Sequence, residues 1–230
     1  MIAIDQLIRS RRKTIALIIT REAKLVVRAP LRTSRAQIDT IVAEKAAWIR
    51  TRQAEMLARP QPPLLEFKDG ASFSYLGRLH LFRFSVQAAL HLALQDGVFL
   101  LSPAGAQQAG KYFLAWYKRQ ARTVLDERVK FHASRLGLAP SALRISSART
   151  RWGSCSSRGT LSFTWRLVLA PLAVIDYVVV HELVHLEIKN HSRAFWQRVQ
   201  AAYPETPAAR RWLKENSRIG EQFEPGKNNS

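Results

Sequence analysis

Between His181 and Trp196 the chain reads HELVHLEIKNHSRAFW, with three histidines and a glutamate at spacings suited to metal-assisted hydrolysis. His181-Glu182-Leu183-Val184-His185 is the His-Glu-x-x-His pattern of zinc hydrolases. Residues four apart stack on one face of a helix, so His181 and His185 can share one metal. Glu182 is one position round, beside the metal rather than on it. There a carboxylate can take a proton from the water that the metal activates. His191 is too far along for a continuing straight helix, and a turn near Lys189-Asn190 would bring it back. Ser192 reads as the N-cap of a following helix that carries Phe195, Trp196 and Val199 inward.

The pattern also arises by chance on surface helices. Here Val178-Val179-Val180 precede it, and Leu183, Val184, Leu186 and Ile188 continue it, which marks a buried helix. Neutral histidines on such a helix need partners, and a metal supplies them. Half of the chain's 6 histidines lie in this stretch.

Together with the upstream Arg151-Trp152-Gly153-Ser154-Cys155-Ser156-Ser157 and Trp165-Arg166-Leu167, the stretch resembles the YgjP-like metal-dependent hydrolases, bacterial relatives of the SprT and WLM zinc metallopeptidases. The resemblance runs over nearly the whole chain and is densest from Ser146 to Tyr203. It implies a zincin-like fold, a zinc held by His181, His185 and His191, and Glu182 as the catalytic base. The histidine spacing also matches the metzincins, but those carry a glycine where Ile188 stands, which argues against membership.

The elements that must position these residues are set by the rest of the chain. At 230 residues there is room for one large domain or two small ones, and 47% hydrophobic content is ordinary for a globular protein. The apolar runs are interrupted, as by Pro171 and Asp176, so no transmembrane helix is expected. The start, MIAIDQLIRSRRK, mixes acid and base into its apolar part, unlike a signal peptide. With the single Cys155 there is no disulfide framework, and a reducing, cytoplasmic setting is expected. Charge is the strongest bulk signal, at 36 Lys+Arg against 17 Asp+Glu, a net of +19. From Arg128 to Ile175 there is no acidic residue and eight basic ones. Such a field favours a polyanion, nucleic acid or acidic partner, or is simply a solvated arginine-rich surface.

In chain order, Ile2–Ile4, Thr14–Thr20 and Lys24–Arg28 read as strands, with the basic cluster Arg9, Arg11, Arg12 and Lys13 as a charged hairpin. A helix follows from Ser34 to about Leu57, then a stiff break at Pro60, Pro62 and Pro63. Strands at Ala71–Leu76, His80–Val86, Ala89–Leu94 and Val98–Leu101 form a second β set. His80 and His91 there lack metal spacing. A long helix is expected from Ala106 to Leu136, with Phe113, Trp116, Tyr117, Val124 and Phe131 on its apolar side and Gly137 as its stop. His132 on it reads as structural. Leu143–Ala148 and Thr160–Trp165 form a hairpin across RTRWGSCSSRG, whose edge is the candidate for pairing with an extended substrate. Pro171 starts the metal helix. A last helix runs from about Pro207 to Arg218, with Trp212 and Leu213 inward, and the polar tail from Gly220 frays.

Arg151, Trp152 and Arg166 are the candidate substrate-binding residues. The guanidinium groups match carboxylate or phosphate bidentately, and the competing role for such an arginine is to brace a loop from inside. Tyr177, Tyr203 and the arginines are open as oxyanion stabilisers. Cys155 reads as a small packed residue. The expected architecture is α+β, with a β-rich module over residues 1–105 and a zincin-like catalytic half over 106–230. The expected function is zinc-dependent peptide hydrolysis. Two alternatives stand beside it: the same site acting on nucleoside triphosphates, and a nucleic-acid-associated protein docked by its basic surface.

Overall fold

The computed structural model describes residues 2–20, 22–58, 65–88, 91–220 and 223. The prolines at 60, 62 and 63 and the tail from 224 lie outside these residues, as does the start of the strand expected from Ala89. Helices and strands are both abundant, and the fold is α+β. The chain divides into two compact units, Met1–Pro62 and Pro63–Ser230, so the boundary is not at residue 105.

In the first unit, β1 (Gln6–Ser10) runs parallel to β3 (Leu25–Pro30), and β2 (Ala16–Ile19) runs antiparallel to it on the other side. The first strand therefore begins after Asp5, not at Ile2, and β1 and β2 are no hairpin. The Asp5 carboxylate accepts a hydrogen bond from the Leu25 backbone at 2.7 Å, which sets that register. Arg9 donates to the carbonyls of Pro30, Leu31 and Thr33, so it secures the exit of β3. Ser34 caps α1 (Arg35–Glu44) through a reciprocal box with Gln37, as the Ser-x-x-Gln spacing dictates. The helix expected to run unbroken is interrupted at Lys45 and resumes as α2 (Ala46–Ala58). Ile38, Val42 and Ile49 are buried with Leu25, Val27 and Ala29.

In the second unit, β4 (Ser72–Tyr75), β5 (Arg78–Phe84), β6 (Ala93–Gln95) and β7 (Val98–Leu101) form a sheet in the order β4-β5-β7-β6. Its inner face carries Phe73, Phe82 and Phe99, all in ring contact with Phe113 of α3 (Ala109–Leu136), at 4.2, 5.5 and 5.1 Å. These rings are why residue 105 is no boundary: the sheet and the long helix share one core. Residues Pro103–Gln108 form a 3₁₀ turn ahead of α3, and Gly137 stops the helix at φ 68°. Along α3 the buried row includes Trp116, Tyr117, Ala121, Leu125, Val129 and His132. Phe131 is instead exposed at 46%, with the guanidinium groups of Arg128 and Arg135 over its ring at 4.6 and 5.4 Å.

The smaller sheet differs most from expectation. β8 (Ala142–Ser146) and β10 (Thr160–Thr164) pair in parallel, which no hairpin can do. The segment between them supplies a third strand, β9 (Gly153–Cys155), antiparallel to β10. The order is β8-β10-β9, so β9 is an edge strand, as is β8. After a 3₁₀ turn at Trp165–Leu169 come α4 (Leu172–Val184), α5 (Arg193–Ala202) and α6 (Thr206–Glu215). Residues 174–180 of α4 are all buried, among them Asp176, which takes a bidentate bond from Arg128 at 2.6 and 2.9 Å and faces His132 at 3.1 Å. This cluster clamps α3 to α4, and His132 is structural as expected. None of the helices among the described residues is long and apolar enough to cross a membrane.

Candidate metal centre

The apolar face of α4 fixes the histidines. With Val179, Val180, Leu183 and Val184 buried completely, the helix cannot rotate, and its last turn presents His181 with His185 directly after it. The chain then breaks, as the position of His191 requires. Ser192 caps α5 by accepting from the Phe195 backbone, and His191 folds back over the pair. Its Nε2 lies 3.1 Å from that of His181 and 3.2 Å from that of His185. Phe195 and Trp196 hold the rings: Phe195 stacks on His185 at 4.4 Å, and Trp196 stacks on His191 at 5.6 Å.

The nitrogens behave as a ligand set. His185 Nδ1 faces the Ile188 carbonyl at 3.0 Å and donates to it, which leaves a lone pair on Nε2 in the neutral ring. Burial lowers the pKa of His181 to about 3, helped by His185, His191 and Arg210. Burial likewise lowers that of His185, against the opposing bond to Ile188. Neutral imidazoles at pH 7 are what a metal takes. Zinc–nitrogen bonds of about 2.0–2.1 Å at the tetrahedral angle separate the nitrogens by about 3.3 Å, so the observed spacings fit. Among the described residues these three form the one group of three or more acidic, histidine or cysteine side chains that could hold a metal. The outer contacts are uneven: His185 has its carbonyl, whereas His181 Nδ1 is buried with no hydrogen-bond partner among the described residues.

Glu182 is 6% exposed and lies outside that ligand group. Burial raises its pKa to about 7, with Arg151 pulling the other way. Its carboxyl rests on the backbone of β9, where a Cβ added to Gly153 would stand 2.6 Å from Oε1. Any larger residue at 153 would collide with this carboxyl, so the glycine of the RWGSC segment is a contact requirement rather than a turn residue.

The other expected residues divide. Arg151 is exposed and acts on Glu182. Trp152 is half-buried, with its ring 6.5 Å from that of Trp212. Arg166 is instead 3% exposed, stacked on Trp165 and donating to the carbonyls of Ser147 and Ala148, so it braces a loop and offers no landing surface. Tyr203 donates to the Ala173 carbonyl at 2.7 Å and ties down the start of α4. Tyr177 sits one turn before His181, in ring contact at 5.9 Å. Burial raises the Tyr177 pKa, Arg210 lowers it and Glu182 raises it, which puts the phenol among the site's charges. Burial raises the pKa of Cys155, against a lowering by Lys189, and its thiol faces the Ser156 carbonyl. Sequence reasoning missed Arg210 of α6. It is exposed, with its guanidinium 4.4 Å above the Trp196 ring. Only the fold brings α6 to α4, so no spacing could have revealed it.

A family model described as "YgjP-like, metallopeptidase domain" matches residues 13–216. Among solved structures, the crystal structure of the metallopeptidase zymogen of Pyrococcus abyssi abylysin is similar over 41% of this chain and 97% of that one, at 22% identity and a TM-score of 0.37. No curated protein matches.

Proposed function

Because the chain belongs to the YgjP-like metallopeptidase-domain family, we propose that it is a zinc-dependent peptidase with a zincin-like core, His181, His185 and His191 as metal ligands and Glu182 as general base. The observation that carries this reading is the convergence of three histidine Nε2 atoms within about one tetrahedral edge of one another, next to a buried carboxylate that is not one of them. Bound there, zinc supplies Lewis acidity and lowers the pKa of a water to about 7.

The chain's own residues supply the rest. Glu182, poised near neutrality by burial, accepts the proton of the attacking water and returns it to the leaving amine nitrogen. Gly153 keeps β9 close enough that the carboxyl has one place to lie. Tyr177, whose hydroxyl makes no hydrogen bond among the described residues, is the donor free to stabilise charge developing on the carbonyl oxygen. The edge of β9 offers unpaired backbone groups to an extended peptide.

A substrate panel tests the reading. The zinc-loaded protein is expected to cleave unstructured peptides and to leave nucleoside triphosphates intact. Turnover of the nucleotides without peptide cleavage would move the same site to phosphoanhydride hydrolysis.

A further inference from the structure

Three cations stand at the rim of the histidine cluster, each acting on a different member of the site. Arg210 acts on His181 and Tyr177, Arg151 on Glu182, and Lys189 on His185. All three are exposed, and none forms an ion pair with a described carboxylate. The nearby Glu187 is already engaged by Arg198 at 3.0 Å. Glu182, on which Arg151 acts, is buried.

Arg210 is the best defined. Its guanidinium lies 4.4 Å from the centre of the Trp196 ring, and Trp196 in turn contacts His191 at 5.6 Å and His181 at 5.7 Å. Stacking holds the guanidinium plane while leaving its N–H edge free for a bidentate partner. The same Trp196 lines an open groove along α5 with Arg193, Gln197, Gln200 and Ala201, a lining that contains one cation, two amides and no carboxylate.

We propose that Arg210 on its Trp196 shelf selects peptide substrates that carry a carboxylate beside the scissile bond. This rests on the peptidase reading above and names its substrate class. The carboxylate comes from an Asp or Glu side chain or from a free C-terminus, and Arg210 pairs with it while Glu182 takes the proton of the attacking water. Bidentate pairing with a carboxylate, once the bound peptide covers the guanidinium, amounts to about a tenfold to hundredfold preference.

The test uses the zinc-loaded full chain and three matched peptides: one with an acidic residue and an amidated C-terminus, one with the amide counterpart of that residue and the same C-terminus, and one neutral with a free C-terminus. The expected result is that at least one carboxylate-bearing peptide exceeds the neutral amidated one by tenfold or more in kcat/KM. The arm that wins identifies the source. In Arg210→Gln the ratio falls to within about threefold of one, and in Arg210→Lys it is intermediate. The ratio is read within each variant, so a general loss of rate does not disturb it. Calorimetric binding of the same peptides to Glu182→Gln gives a readout without turnover, with the same order expected. Equal cleavage of all three peptides, or an unchanged ratio in Arg210→Gln, would overturn the selectivity and leave the peptidase reading standing. Failure of every peptide to be cleaved or bound would overturn both.

Discussion

Adding a single methyl group at Gly153 should silence the enzyme without disturbing its metal. In Gly153→Ala the new Cβ would lie 2.6 Å from Glu182 Oε1, 2.7 Å from Cγ and 2.9 Å from Cδ. Non-bonded carbon contacts settle at about 3.5–4.0 Å, so the carboxyl must retreat by about 1 Å. The helix cannot make that adjustment, because Leu183 and Val184 beside Glu182 are fully buried. The side chain must rotate instead. Misplacing a catalytic group by about 1 Å costs a factor of about 100, or about 2.7 kcal/mol of transition-state stabilisation. Overpacking costs a further 1–3 kcal/mol or so of stability, a fall of about 2–10 °C in Tm. The three atoms nearest the methyl all belong to Glu182, so zinc content should be unchanged. The assay is kcat/KM on one peptide, with Tm and zinc measured on the same preparation. A folded Gly153→Ala that keeps kcat/KM within threefold of the parent would refute the idea that β9 fixes the base. Loss of zinc would show that the collision reaches the ligands.

Three further outcomes are expected. If the three histidines are the ligands proposed, His185→Ala and His191→Ala should each lose most of the zinc taken up by the parent, read by elemental analysis; full occupancy in both would remove the metal site. The Asp176 pKa is set by burial, which raises it, and by stronger lowering from His132 and Arg128, and the net direction is down. A depressed folded pKa adds stability above the ordinary carboxylate value that is lost as pH falls below it. The drop in Tm below about pH 4 should therefore be shallower in Asp176→Asn, and parallel curves would show that the clamp is electrostatically idle. The net charge of +19 predicts retention on heparin that weakens steeply with salt; no retention at low ionic strength would assign the charge to the solvated surface.

The histidine grouping of the candidate site was legible in the sequence because its spacing is local. Four-residue spacing put His181 and His185 on one helical face, and Ser192 announced the break that returns His191. What the sequence could not disclose depended on contacts between distant segments. The parallel pairing of β8 with β10 is a tertiary choice, and the short Gly153–Cys155 strand has no alternation long enough to mark it. The loop near 105 looks like a division in the sequence, but Phe73, Phe82 and Phe99 close on Phe113 across it. Arg166 and Arg151 look alike in the sequence, and only burial separates the brace from the exposed cation. Arg210 carried no signal of its own.

The most direct test of the account is turnover by Glu182→Gln. Glutamine keeps the shape of the side chain against β9, and the three histidines remain to hold the metal, so Tm and zinc content should match the parent. An amide cannot accept the proton at neutral pH, and peptide hydrolysis should fall by a factor of about 100 to 10,000. Turnover that survives with zinc and stability unchanged would contradict the assignment of Glu182 as the base and, with it, the mechanism built on this site.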